Sequence, residues 1–235
     1  MATGTDGPGL SALPERYNRA MTSSNPHTAP DRPDEGAPAY RECATCGFLS
    51  ADVDFRDVAR ACPACGSIVG PRRMFPPERL RRVDGRIRRY DAEGESEVVV
   101  ILVATFLEAL LEDMLARIMA TEGASVKLRA AVLDTLRSVG QRLGKLFPTL
   151  TGEQFEDAAS ESCFSDFPHR WRALRAERNA FIHDAAFEGV TREQLDDDAA
   201  REALELLDEA YALFVRINNR FVAGTRQRRA GDSHS

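Results

Sequence analysis

The strongest hydrophobic pattern lies in the middle of the chain, where residues 98–120 are apolar on most faces of a helix. A helix without a polar face is typical of the centre of a bundle. A second helix is predicted over residues 192–223, opened by Thr191 and Gln194 in a capping-box pattern. Its predicted core stripe comprises Ala203, Leu206, Leu207, Ala210, Leu213, Phe214 and Ile217.

Three further segments show helical features between these two. Residues 125–147 repeat apolar positions at helical spacing, residues 152–162 favour a short helix, and a helix is predicted from Pro168 to Ala186. The pattern therefore predicts a mostly α fold, in which residues 95–224 form a bundle of four to five helices.

Polar segments flank this bundle. Residues 1–39 have few large apolar groups and are predicted to be disordered, as is the tail at 225–235. Residues 71–94 are predicted to be a linker because Pro76 and Pro77 block a continuous helix. Within it, residues 71–90 contain eight arginines and two acidic residues, a net charge of +6 in a chain whose net charge is −6.

The overall composition is that of a globular protein of 235 residues, 43% of them hydrophobic. The negative net charge argues against a protein that coats nucleic acid generally, although a local basic segment can still bind phosphate. The longest apolar run, Val98–Leu107, is too short to span a bilayer, and the N-terminus lacks a signal-peptide pattern. We therefore expect no membrane contact and a cytoplasmic location.

Four cysteines occur in two closely spaced pairs at residues 40–70, which we predict to be a small zinc ribbon. Cys43 and Cys46 form one C-x2-C pair, and Cys62 and Cys65 form the other after fifteen intervening residues. Two such knuckles supply the four thiolates of a closed tetrahedral site, which is structural rather than catalytic. Two disulfides or a redox pair are the alternatives. A fifth cysteine, Cys163, has no partner at ligand spacing and is expected to be a small buried residue.

The segment 171–187 carries the most candidate chemistry. On a helix, Arg178 falls inside the apolar face formed with Trp171, Leu174, Phe181, Ile182 and Ala185. A buried charge needs a partner, and Glu108, with Glu112 one turn later, interrupts the apolar run of the central helix. Arg175, Asn179 and His183 share another stripe, where an arginine and an imidazole suit phosphodiester chemistry. Surface or structural roles are the commoner explanation of such spacing.

The stretch from Arg178 to His183 resembles the motif of HEPN domains, in which an arginine and a histidine are separated by four to six residues. The apolar helix that carries Glu108 is similar to the first long helix of that family, and the resemblance covers about residues 95–223. It implies a dimer whose two motifs face one cleft. Active members cleave RNA without a metal by attack of the 2′-hydroxyl, leaving a 2′,3′-cyclic phosphate and a 5′-hydroxyl. His183 would transfer protons, Arg178 would bind phosphate, and Asn179 would make an auxiliary contact.

One departure from the family concerns regulation. Some members carry a tyrosine two residues after the histidine, where a partner nucleotidyltransferase modifies them, and this chain has Ala185 there. Control by that route is not expected.

Two functions from different classes follow. The first is a HEPN-type endoribonuclease, with stress response or phage defence as its expected setting and the basic segment (Arg81, Arg82, Arg88 and Arg89) contacting RNA. The second is a non-catalytic helical adaptor that binds RNA or protein, in which Arg178 is only an ion-pair residue. The zinc ribbon can bind a nucleic acid or a protein partner, or brace the fold. A zinc-ribbon transcription regulator is a weaker third interpretation.

Overall fold

Two regions of the chain are built differently, a small sheet near residue 40 and a helical bundle after residue 78. The computed structural model describes residues 40–56, 59–68, 72–184 and 195–232, with the backbone alone at 183, 184, 231 and 232. All of these residues belong to one compact unit, Arg32–Ser235. The predicted disordered segment 1–39 and the predicted cap at Thr191 and Gln194 lie outside the described residues.

The small sheet has three short antiparallel strands in the order β2-β1-β3. These are β1 (Tyr40–Glu42), β2 (Leu49–Ser50) and β3 (Arg73–Phe75). Glu42 pairs with Leu49 on one side of β1 and with Arg73 on the other. The sheet therefore brings together segments of the chain that lie before, between and after the two cysteine pairs. We call residues 40–75, as far as they are described, the cysteine module.

The helices follow in close succession. They are α1 (Glu78–Ala92), α2 (Ser96–Thr121), α3 (Val126–Thr135), α4 (Val139–Gln141), α5 (Phe147–Thr151), α6 (Phe155–Glu161), α7 (Phe167–Asp184), α8 (Asp197–Asn218) and α9 (Gly224–Asp232). Wider π-type turns at Arg142–Leu146 and Asn219–Ala223 link α4 to α5 and α8 to α9, and Val53–Arg56 is a short 3-10 turn.

Helix α2 is the centre of the bundle, as the sequence predicts. It packs against α1, α7 and α8, and its buried side chains occur on most faces. Every residue of the predicted α8 stripe, from Ala203 to Ile217, is also buried. The mostly α fold, with a small sheet and a cluster of four cysteines beside it, is thus confirmed. Within the described residues, no helix combines the length and apolar character that crossing a membrane requires.

The prediction of a linker at 71–94 was wrong. Proline does block a longer helix, but α1 begins directly after Pro77, a position where the missing N–H costs no helical hydrogen bond. Leu80 and Ile87 are buried on its inner side, at 3% and 0% exposure, and hold it against the core. Six of the eight arginines of this segment consequently lie on a helix, whereas Arg72 and Arg73 precede it.

The predicted helix at 125–147 is broken in the structure. Helix α3 ends at Thr135, and Ser138 starts a new helix through a complete capping box with Gln141. Buried Arg142 fixes the break because its guanidinium donates to the carbonyl oxygens of Leu136 and Leu133, at 2.8 and 3.1 Å. These bonds satisfy carbonyl groups at the end of a helix, which otherwise lack partners.

The predicted disordered tail at 225–235 was also wrong over most of its length, because α9 extends to Asp232. Gln227 donates to the carbonyl oxygen of Ala64, and Arg229 donates to that of Thr121. Both contacts hold polar residues of α9 against other parts of the fold, which hydrophobic patterning cannot detect.

One carboxylate is buried where α1 meets α8. Asp84 is 1% exposed, and within the described residues neither of its carboxylate oxygens has a hydrogen-bond partner. Arg88 Nε lies 3.5 Å away, while the Arg88 guanidinium also donates to Asp208 at 2.7 Å. Burial raises the pKa of Asp84, and the nearby Arg88 opposes this only in part. Buried Tyr211 likewise has a raised pKa, first from burial and then from Asp84.

This geometry predicts a specific pH dependence of stability. Because the folded-state pKa of Asp84 is raised, its contribution to stability is complete below the unfolded pKa and is lost as pH rises through the folded pKa. Asp84→Asn has no proton to lose, so its stability relative to wild type should improve from mildly acid to neutral pH. Urea unfolding across that range measures the difference. A parallel pH profile for both proteins would contradict the prediction, and Asp208→Asn, at the exposed end of the same arginine, is the control.

Candidate metal centre and arginine site

The four paired cysteines converge on one point. Their ligand atoms all lie within 4.8 Å of one another, with Cys43 Sγ 3.9 Å from Cys65 Sγ and Cys46 Sγ 3.8 Å from Cys62 Sγ. A tetrahedral ion with metal–sulfur bonds of about 2.3 Å would place its sulfurs about 3.8 Å apart. All four are free thiols, and these separations far exceed the roughly 2.05 Å of a disulfide. The cluster therefore fits a four-thiolate metal site such as that of zinc.

The turns around the cluster are suited to thiolate ligands. Gly47 and Gly66 follow the second cysteine of each pair and adopt positive φ angles of 78° and 70°, which only glycine adopts without strain. Burial raises the pKa of the Cys43 thiol, but the backbone N–H groups of Cys46 and Thr45, together with the Cys62 and Cys46 thiols, outweigh it and lower the pKa to about 7. Burial raises the pKa of Cys46 and of Cys62. The backbone is thus arranged to favour a thiolate at Cys43.

Helix α8 and its π-type turn hold the cysteine module by side-chain amides. Asn218 Nδ2 donates to the carbonyl oxygen of Gly47 at 2.8 Å. Asn219 accepts from Leu49 N at 2.7 Å and donates to Leu49 O at 2.8 Å, as a neighbouring strand would. Glu42 adds an ion pair with Arg117 of α2 at 3.0 Å. The module is therefore docked on the bundle at several points, a role for Asn218 and Asn219 that the sequence analysis missed.

The predicted ion pair between α2 and α7 is confirmed. Glu108 Oε1 accepts from Arg178 at 2.8 Å and from Arg175 at 3.2 Å. The three side chains are 29%, 15% and 26% exposed. One carboxylate thus lies between two guanidinium groups, which leaves an excess positive charge at a partly covered site. Glu112 does not belong to it, since it pairs with Arg142 at 3.2 Å.

The other motif residues extend along α7. Asn179 is exposed, and His183 is the penultimate residue of the helix, but its side chain lies outside the described residues. Of the predicted apolar face, Trp171 and Leu174 are buried, Ala185 lies outside the described residues, and Ile182 is 47% exposed, so its predicted burial was wrong. The C-terminal turn of α7 therefore presents an apolar side chain to solvent beside the motif.

A cavity of about 170 Å³ adjoins the arginine site. Arg175 and Arg172 line it from α7, while Gly140 and Gly144 line it from the turn at the start of α4 and the following π-type turn. No residue of this cavity except Arg175 was predicted as functional. The spacing of Gly140 and Gly144, one helical turn apart, is the only signal in the sequence.

The four arginines predicted to contact RNA have different environments on α1. Arg88 is three-quarters buried between Asp84 and Asp208, and Arg81 is half-buried. Arg82 and Arg89 are exposed; Arg82 pairs with Glu78 on the same helix, and Arg89 pairs with Glu93 directly after its end. Arg88 thus has a structural role, and RNA contact by this helix stays a prediction.

Cys163 was predicted to be buried, and that prediction was wrong. The residue is exposed and has a φ of 64°. It follows the C-terminal end of α6, where the chain must turn. Its conformation is set by this turn and not by apolar packing.

Comparison with known proteins adds no family assignment. Neither protein-family models, nor the curated proteins, nor the solved structures gave a match to this chain. The similarity of residues 178–183 to the HEPN motif therefore stays a hypothesis that must be argued from the geometry and tested by experiment.

Proposed function

We propose that the protein is a metal-independent endoribonuclease of the HEPN type, acting at a cleft between two copies of the chain. One observation carries the proposal. Glu108 of α2 bonds both Arg175 and Arg178 of α7, and His183 follows Arg178 by five residues on that same helix. Two guanidiniums held by a single carboxylate form an anion site with preset geometry, and histidine is a residue type that moves protons near neutral pH.

The proposed reaction uses these groups in distinct roles. The 2′-oxygen of RNA attacks the adjacent phosphorus, the bond to the 5′-oxygen breaks, and a 2′,3′-cyclic phosphate and a 5′-hydroxyl result. Arg178 stabilises the negative charge that develops on the phosphoryl oxygens, with Arg175 beside it. His183 transfers the proton, and exposed Asn179 contacts the sugar or phosphate. A second copy places a second motif on the other side of the scissile phosphate.

The decisive experiment compares wild type, His183→Ala and Arg178→Ala on mixed cellular RNA without added divalent metal. Loss of a proton-transfer residue or of a phosphate-binding arginine is expected to lower the rate by about 10² to 10⁴. Product ends should be cyclic phosphate and 5′-hydroxyl. EDTA should leave cleavage unchanged over times too short to strip the cysteine site, with the bound metal measured afterwards.

Arg201→Ala is the matched control, because Arg201 is an exposed helical arginine that pairs with Asp198 on α8. Cleavage that persists in His183→Ala would identify a contaminant or another active centre. A folded, dimeric wild type that cleaves no RNA would reject the proposal.

A second candidate, a non-catalytic adaptor that binds RNA or protein, is favoured by one specific observation. Arg178 is only 15% exposed and its Nε is buried without a hydrogen-bond partner in the described part of the chain. A guanidinium so placed suits the bracing of α7 against α2 as well as phosphate binding. The adaptor tolerates His183→Ala in every assay, which distinguishes it from the nuclease.

The cysteine module has a structural role in either case. We propose zinc as its ion, because the sulfur spacing matches zinc–thiolate bond lengths and a closed thiolate site leaves no position for substrate. Helix α1 follows the module in the chain and packs on α2, with Arg82, Arg86 and Arg89 exposed along one face. This face is the proposed path for the RNA backbone toward the cleft.

A further inference from the structure

The cavity beside the arginine site has two unlike walls. On one side are Gly140 and Gly144, where an added Cβ would meet no atom within 4 Å. On the other side is α7, which contributes Arg172, Arg175 and Trp171, the last of which is only 1% exposed. Val139 and Leu143 add apolar side chains on the glycine side, so this space, which we call the slot, is partly apolar and has two arginines on one wall. A flat base can stack on the guanidinium plane of an arginine.

The size of the cavity limits what can enter it. Its volume is about 170 Å³, whereas sites for drug-sized ligands span about 300–1,000 Å³. The space suits a single ring system and excludes a complete nucleotide. Its polar groups lie on Arg172, Arg175 and Glu156, so both hydrogen-bond donors and a carboxylate acceptor are available.

The slot is continuous with the anion site. Arg175 lines the cavity and at the same time donates its Nε to Glu108, which also holds Arg178. A ligand with a ring in the slot and a phosphate at the arginine pair would therefore contact both ends of Arg175. Ribonucleotides join a flat base to a phosphate through one sugar.

The slot wall is also rigid. The π-type turn that carries Leu143 and Gly144 begins at Arg142, whose guanidinium is held by two carbonyl oxygens and by Glu112. Wide turns of this kind are frequent at functional sites. A fixed wall lowers the entropy cost of holding a base.

We propose that this cavity is a nucleobase subsite, which binds the base of the nucleotide whose phosphate meets Arg175 and Arg178. The inference rests on the proposed function for the identity of its ligand. In the nuclease, this subsite determines which nucleotide lies next to the cleaved bond of the RNA. Glu156 and Arg172 select among the bases by the donors and acceptors on each base edge.

The chain supplies its own probe for this subsite. Trp171 is the only tryptophan and lines the cavity, so a base that enters should quench its emission. Zinc-loaded full-length protein is titrated with the four nucleoside 3′-monophosphates. Trp171 is excited at a wavelength that tyrosine does not absorb. We expect saturable quenching by at least one of them and none by inorganic phosphate alone. Equal effects of phosphate and nucleotides, or no saturation by any nucleotide, would overturn the proposal.

Filling the slot supplies the matched pair of variants. Gly144→Leu places a side chain in the cavity. Gly85→Leu makes the same substitution on α1 instead, at a position where an added Cβ also meets no atom within 4 Å. We expect nucleotide binding about tenfold or more weaker in the first variant, as for loss of a stacked base, and unchanged in the second. Equal affinity in both would contradict the assignment. If Gly144→Leu fails to fold, Arg172→Gln replaces it, because Arg172 is mostly exposed.

The two proposals can fail separately. If nucleotides quench the emission of wild type but not of Gly144→Leu, and wild type cleaves no RNA, the subsite is supported and the nuclease is rejected. Cleavage that depends on His183 but has the same sequence preference in wild type and Gly144→Leu would leave the nuclease standing and remove the subsite.

Discussion

Removal of the proposed zinc ion should lower the Tm of the whole protein by roughly 6–24 °C, and not unfold the cysteine module alone. The module has little core of its own, since its buried cluster consists of three cysteines and Phe55. Such a segment depends on the metal for its folding free energy. Its other large buried side chains, Leu49 and Phe75, belong to the core of the bundle.

The size of the effect follows from what the bundle loses when the module unfolds. Leu49 and Phe75 leave the core, at about 1.5–3 kcal/mol for each side chain. Asn218, 1% exposed, loses its acceptor on Gly47. A loss of about 3–6 kcal/mol shifts the Tm of a chain of this length by roughly 2–4 °C per kcal/mol.

Thermal unfolding followed by helical circular dichroism, with and without a chelator, tests this directly. Cys46→Ser should reproduce the chelator effect without any added reagent. Cys163→Ser is the control, because Cys163 is exposed and stands apart from the ligand cluster. A bundle transition at the same temperature in all samples would show that the module is an independent appendage.

The contacts between module and bundle also explain which parts of the fold the sequence could not predict. Apolar patterning identifies α2, which is apolar on most faces, and α8, whose apolar stripe is long; both helices bury many side chains. It does not identify α1, where only Leu80 and Ile87 are fully buried apolar residues among many arginines. The linker prediction came from Pro76 and Pro77, which block a longer helix. Helix α9 depends on polar contacts, which leave no periodic signal.

The candidate sites divide in the same way. Metal ligands can be predicted from local spacing, because each C-x2-C pair closes its own turn and two such turns complete a tetrahedron. The partner of Arg178 could also be predicted, because a charge on an apolar face requires one and Glu108 interrupts the facing run. The hydrogen bonds between Asn219 and Leu49 and the slot at Gly144 both depend on π-type turns, which bring together residues that are far apart in sequence. Hydrophobic patterning carries no information about such turns.

Changing Glu108 should have opposite effects on stability and on anion binding. Glu108→Gln removes the carboxylate that accepts from both Arg175 and Arg178, at 3.2 and 2.8 Å. Hydrogen bonds to charged groups contribute about 1.5–3 kcal/mol, so the free energy of unfolding should fall by about that amount. The two guanidiniums then lack a counter-charge, and a bound phosphate can supply it.

The binding of a non-cleavable RNA therefore separates a phosphate site from a purely structural ion pair. We expect Glu108→Gln to bind it more tightly than wild type, and Arg178→Gln to bind it more weakly, although both variants lose stability. The salt dependence of binding should weaken in Arg178→Gln, since one phosphate contact is lost. Glu112→Gln is the matched control, because it changes a carboxylate on the same face of α2 and removes the ion pair with Arg142. This variant should lose stability without a gain in RNA affinity. If Glu108→Gln and Arg178→Gln change RNA affinity in the same direction, the arginine pair braces α7 against α2 and binds no phosphate. In that case the adaptor, and not the nuclease, accounts for the arrangement of this helix.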